Sequence, residues 1–269
     1  MNEQKIIADS GYNEYGSGRT TLIMVHGNSM DKESFKLQAD SDLKQRFKII
    51  SVDFPGHGDT RTNGSKQELY SIPGFTEFLV RFTEQLDTEN CVIVGHSLGG
   101  HIAVEAAAKI PNLKGLFIFG TPPLTFRSAE HPPFNPVETA GLLFQETLTE
   151  DEAEQLAATL WHPDSSPPED FKKSISATDP LFRSAMGRSV TDGEFQDEIE
   201  QIEQLPFPTA IVLGSEDTII NSQYIRKMVS ENIWRGEVQI ISGAGHSPQL
   251  EKPEKFNGLL HDYLNDLGL

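Results

Sequence analysis

Short, nearly continuous apolar runs recur along the chain, and most are followed by a stretch with helical spacing. This alternation restricts the fold more than any other feature. The runs cover residues 21–25, 47–52, 91–94, 116–119, 210–213 and 238–241. They are apolar at successive rather than alternate positions over most of their length, so both faces of the strands are expected to be covered. That is the condition of a parallel sheet with helices on both sides. The intervening segments fit this reading. A polar helical stretch starts near Asp31, and Phe75, Phe78, Leu79, Phe82 and Leu86 recur at helical spacing over 72–86. A helix is expected over about 97–109, and others begin near Asn221 and Pro253. Ile6 to Ala8 and the region near Tyr12 are expected to add antiparallel strands at one edge, giving a mostly parallel α/β sheet of eight strands.

The alternation stops at Gly120-Thr121-Pro122-Pro123. Residues 124–205 contain no clear strand pattern, but they carry prolines, helical patterns and the aromatics Phe126, Phe134, Phe144, Trp161, Phe171 and Phe182. Thr149 with Glu152 three residues on forms a capping box ahead of Ala153, Leu156 and Leu160. The expected organisation is therefore a core of residues 1–123 and 206–269 interrupted by a helical cap at 124–205. Most of the cap's apolar side chains are expected to form its own small core. Phe126, Phe134, Phe144, Leu156, Leu160 and Trp161 are the candidates for lining a substrate cleft.

A formal net charge of −18 repels phosphate backbones and anionic bilayers, which argues against nucleic-acid and membrane partners. The single cysteine, Cys91, excludes an intrachain disulfide and, lying in an apolar run, is expected to be buried and inert. No apolar signal core follows Met1, and no run approaches the length of a bilayer span, so a cytoplasmic protein is expected. The expected assembly is a monomer or homodimer.

Gly95-His96-Ser97-Leu98-Gly99 fits G-x-S-x-G between a strand and a helix, the context that exposes a serine hydroxyl on a tight turn. Such a hydroxyl needs a base, and the base needs an orienting acid. Two loops at carboxyl ends of later strands supply them in order: Asp217 in Gly214-Ser215-Glu216-Asp217, and His246 in Gly243-Ala244-Gly245-His246. Glu216 is the competing acid. His26 and His57 sit in turns, where structural hydrogen bonding is expected. His96 should point away across the turn, and His101 lies on the helix that starts at the serine. The backbone N–H groups of Leu98 and Asn28 are the candidate oxyanion donors, with the Asn28 amide as a possible further one.

Met24-Val25-His26-Gly27-Asn28-Ser29, Asp53-Phe54-Pro55-Gly56-His57-Gly58 and Gly95-His96-Ser97-Leu98-Gly99-Gly100-His101 resemble signatures of the α/β-hydrolase superfamily. The loops at Asp217 and His246 complete the set. The His-Gly-Asn-Ser loop, Ser97-Leu98-Gly99-Gly100-His101-Ile102 and Gly120-Thr121-Pro122-Pro123 together resemble the α/β-hydrolase type of N-acyl-homoserine-lactone lactonase, which opens the ring of bacterial quorum-sensing signals. The resemblance implies an α/β-hydrolase fold and a small-molecule ester or lactone substrate. It implies no cofactor and no metal, and no histidine-rich metal motif is visible. Ser97 in place of an aspartate nucleophile disfavours the dehalogenase and epoxide hydrolase branches.

Overall fold

The computed structural model describes residues 10–60, 69–227 and 232–269. Seven strands form one sheet in the order β1-β3-β2-β4-β5-β6-β7. They are β1 (Tyr12–Tyr15), β2 (Thr20–Val25), β3 (Lys48–Val52), β4 (Asn90–His96), β5 (Leu113–Phe119), β6 (Thr209–Gly214) and β7 (Gln239–Ile241). β1 pairs antiparallel with β3, and every other pairing is parallel. The sheet thus shows seven of the eight expected strands among the described residues. The expected strand at Ile6 to Ala8 lies outside them.

Period-two alternation divides the strand side chains between two apolar clusters. Ile23, Val25, Ile93, Ile118 and Ile211 face one cluster with the helices Ile72–Glu84 and Leu98–Ala107. Leu22, Met24, Val94, Phe117 and Val212 face the other, beneath Phe256, Leu260 and Tyr263 of the helix Pro253–Asp266. Burial on both faces is what made these runs apolar without alternation.

Between β5 and β6 the chain forms a 3-10 turn at Glu138–Phe144 and the helices Glu150–Thr159, Glu169–Ala177, Pro180–Thr191 and Glu198–Gln204. Both halves of the Thr149/Glu152 capping box are made. Contrary to the expectation from the sequence, the insertion's apolar side chains do not close a core of their own. Leu156, Leu160, Trp161, Phe171 and Phe182 belong to the same cluster as Ile23 and Ile93. Phe182 stacks on Phe75 of the core helix, with centroids 5.6 Å apart. Among the described residues no helix is long and apolar enough to cross a membrane.

Candidate active site

β4 ends at His96 and the next helix opens at Leu98, so the chain must reverse at Ser97. It does so at φ 50°, ψ −118°, a region that costs a residue with a Cβ strain energy and persists only where its surroundings impose it. Those surroundings are visible. The Ser97 N–H donates to the Phe119 carbonyl at 2.8 Å, and the Thr121 hydroxyl donates to the Ser97 carbonyl at 2.9 Å. The flanking glycines are there because nothing larger fits. A Cβ on Gly95 would stand 2.7 Å from the Gly99 carbonyl oxygen, and one on Gly99 only 2.4 Å from that of Val25.

Asp217 follows β6. Its Oδ1 accepts the N–H groups of Ile219 (2.9 Å) and Ile220 (3.2 Å), which leaves Oδ2 to accept His246 Nδ1–H at 2.8 Å. Both side chains are almost completely buried. The competing Glu216 is exposed and accepts the Ser215 hydroxyl. With Nδ1 committed to the carboxylate, His246 keeps Nε2 for the cavity. Its loop is fixed from two sides. His96 donates through Nε2 to the His246 carbonyl at 2.8 Å, and the neighbouring Ser247 hydroxyl donates to the Leu160 carbonyl of the insertion at 2.9 Å. Complete burial pushes the His96 imidazole well below the ordinary histidine range, aided by the nearby His246. His96 turns away from the cavity as expected, yet it braces the loop that carries His246.

Ser97, Leu98, Asn28 and His246 line one cavity of about 320 Å³. The Ser97 hydroxyl has no hydrogen-bond partner among the described residues, so hydroxyl and imidazole meet as walls of this space rather than as a bonded pair. Catalytic contacts of this kind often tighten only around a bound ligand. The backbone N–H groups of Asn28 and Leu98 donate to no described residue. The Asn28 amide, by contrast, is taken up. It donates to the Leu143 carbonyl at 3.1 Å and its oxygen accepts the Ser29 hydroxyl at 2.7 Å, which in turn accepts Arg183 Nε–H at 2.9 Å. His26 and His57 are structural, bonded to the Gly27 and Pro55 carbonyls.

Of the six expected cleft residues, Phe134 and Phe144 reach the cavity wall. Phe126 is 68% exposed and stacks on Phe195. Leu156, Leu160 and Trp161 are buried in the core cluster and are not among the residues lining this cavity. They face inward because the insertion packs directly on the core. The sequence reading missed Met186, Ile219 and the fully buried Glu198, all of which line the cavity. Glu198 lies 97 positions from its partner His101, and no local pattern marks such a pairing. Among the described residues, no group of three or more His, Cys, Asp or Glu side chains is arranged to hold a metal.

Known proteins share this architecture. A solved structure of a mutant N-acyl homoserine lactonase, AidH, complexed with N-hexanoyl homoserine lactone is 27% identical and superposes with a TM-score of 0.87 over 95% of this chain and 93% of that one. The dihydrolipoyllysine-residue acetyltransferase component of the acetoin cleaving system of Cupriavidus necator is 25% identical over 260 residues, which are 94% of this chain and 66% of that longer protein. A 2-hydroxy-6-oxononadienedioate/2-hydroxy-6-oxononatrienedioate hydrolase of Paraburkholderia phymatum is 22% identical over 268 residues, 94% of this chain and 90% of its own. The model of the alpha/beta hydrolase family matches residues 22–259, and the chain belongs to that family of hydrolases.

Proposed function

We propose that the protein is a serine hydrolase of carboxylic esters that opens the lactone ring of N-acyl homoserine lactones, with Ser97 as nucleophile, His246 as general base and Asp217 as the acid that orients it. The observation that carries this reading is the buried His246–Asp217 hydrogen bond of 2.8 Å at the wall of the cavity that Ser97 also lines. His246 Nε2 takes the Ser97 proton as Oγ bonds to the acyl carbon, and the N–H groups of Asn28 and Leu98 receive the oxyanion. Each such donor supplies about 3–4 kcal/mol to the transition state. The tetrahedral carbon then expels the ring oxygen, which takes the proton from His246. In a lactone this alcohol stays tethered to the acyl group, so water activated by His246 must attack the ester of Ser97 before the ring re-closes. That attack yields the free acid and restores the serine.

Support for the substrate class comes from the cavity, whose walls are mainly apolar and suit an acyl chain, and from the likeness to a lactonase solved with N-hexanoyl homoserine lactone. The relative from Paraburkholderia phymatum suggests a second reading, hydrolysis of an oxo-dienedioate. Such a substrate carries two carboxylates. The cavity wall contains no Lys or Arg among the described residues, and it does contain Glu198. Ester and lactone substrates are therefore favoured.

Two assays test the reading. Ser97→Ala should reduce turnover of a short p-nitrophenyl ester by up to about 10⁶-fold; undiminished turnover would refute the nucleophile. Ring opening of acyl-homoserine lactones of graded chain length, measured beside simple esters, tests the substrate. Esters cleaved with every lactone left closed would reduce the protein to an esterase.

A further inference from the structure

The cavity contains a second histidine–carboxylate pair that the reaction does not use. His101 lies one helical turn beyond Ser97, its N–H bonded to the Ser97 carbonyl at 3.2 Å, and both residues line the same cavity. His101 Nδ1 sits 2.9 Å from both oxygens of Glu198. Glu198 is fully buried, and its Oε2 also accepts the Leu124 N–H at 2.7 Å. Both residues line the cavity.

The other polar side chains of the wall are accounted for. Ser97 and His246 belong to the reacting centre, the Asn28 amide is bonded to Leu143, and the Asn135 amide donates to the Thr218 and Ile220 carbonyls. A carboxylate placed in an apolar wall carries a desolvation cost that packing alone does not explain. What the arrangement achieves is a fixed tautomer. In the neutral imidazole, Glu198 as acceptor selects the tautomer with the proton on Nδ1, and Nε2, which has no partner among the described residues, then carries the lone pair.

We propose that His101, oriented by Glu198, is a substrate-recognition residue that accepts a hydrogen bond from an N–H or O–H borne by the substrate within a few bonds of the scissile carbonyl. This deepens the ester-hydrolase reading. It selects, among acyl compounds, those with a donor on the carbons next to the carbonyl, such as α-amido lactones or hydroxyacyl esters. A buried acceptor left unmatched by a donor-free substrate penalises that substrate, and this is how a polar group in an apolar pocket discriminates.

The test uses two matched pairs: an α-acylamino-γ-butyrolactone against its α-alkyl analogue, and the p-nitrophenyl ester of a 2- or 3-hydroxy acid against that of the unsubstituted acid. The parent protein should favour the donor-bearing member by about tenfold in kcat/KM in at least one pair. His101→Phe should bring that ratio close to one, whatever happens to the absolute rates. In Glu198→Gln the amide can donate to Nδ1 and move the imidazole proton to Nε2, so preference should shift toward 2- or 3-oxoacyl esters. Thermal unfolding of each variant shows whether it is folded, and the parent's ratio stands without any variant. Equal rates within both pairs, or a parent preference for oxo over hydroxy substituents, would overturn the proposal. If the lactones stay closed while hydroxy esters are preferred, the lactonase reading fails and the His101 assignment survives.

Discussion

Alanine at Gly99 sets helix propensity against packing, and the structure says which should win. Both Gly99 and Gly258 lie within helices, where replacing glycine by alanine gains about 1 kcal/mol. At Gly258 the new Cβ meets nothing within 4 Å, so Gly258→Ala should gain that full amount, raise Tm by about 2–4 °C and leave kcat/KM unchanged. At Gly99 the Cβ would stand 2.4 Å from the Val25 carbonyl oxygen and 2.5 Å from that of His26. A carbon–oxygen contact relaxes at about 3.3 Å, so helix and loop would have to part by about 0.8–0.9 Å. The obstacles are backbone atoms and have no rotamer to escape into. Overpacking of this kind costs about 2–3 kcal/mol; less the propensity gain, the net loss is about 1–2 kcal/mol and Tm falls by about 2–8 °C. The same displacement separates the Leu98 N–H from that of Asn28. A misplacement approaching 1 Å costs about 100-fold in rate. Calorimetry and p-nitrophenyl ester kinetics on the two variants form the assay. If Gly99→Ala is stabilised like Gly258→Ala and keeps its kcat/KM, the helix does not press on the loop and the steric account of the elbow is wrong.

Other expectations follow from the same contacts. Asp217→Asn should lower kcat on aryl esters by about 10⁴-fold while the protein stays folded, because the amide no longer holds the proton of His246 on Nδ1; a loss under tenfold would remove Asp217 from the mechanism. Arg183→Met frees the Ser29 hydroxyl that orients Asn28 and should reduce kcat about tenfold with little change in KM. Its stability should change little, since the guanidinium it removes is buried, pushed down to about 10 by that burial, and bonded only to carbonyls and a hydroxyl among the described residues. Burial alone would lower the Lys32 ammonium, but its hydrogen bonds to Asp53 and Asp59 and their charges outweigh that and hold it well above the ordinary range. The folded state therefore binds this proton more tightly than the unfolded chain. The contribution is complete below about pH 10.4 and fades as pH rises beyond it, so the Tm gap between parent and Lys32→Met should narrow above that pH. Burial pushes the Cys91 thiol up to about 12, and Ellman's reagent at pH 8 should find no thiol in the native protein and one after denaturation.

The sheet was legible because parallel strands covered on both faces leave mainly apolar runs, and each of the six runs lies within 2–3 residues of an observed strand. The elbow and the Asp217 and His246 loops were legible because each sits where a strand ends, a position the sequence marks by itself. The cleft was read poorly for the same physical reason. Leu156, Leu160 and Trp161 look like free apolar material in a segment without strands, and only the docking of the insertion on Phe75 and its neighbours decides that they point into the core. Glu198 carries no local mark, since its meaning depends on His101, contributed by a different helix.

The hydrogen bond from Ser247 to the Leu160 carbonyl has a consequence for how substrates get in. A Cβ on Gly245 would stand 2.5 Å from the amide nitrogen of His162, so the segment bearing His246 is clasped by the insertion along its backbone. Lifting the insertion as a rigid door would drag the imidazole out of register with Asp217. Rotamer changes of half-exposed wall side chains such as Phe134 and Phe144 would open the cavity without disturbing that register. By the same reasoning, grafting a foreign cap onto this core would disable the chemistry unless the stretch from Leu160 to His162 were transplanted intact.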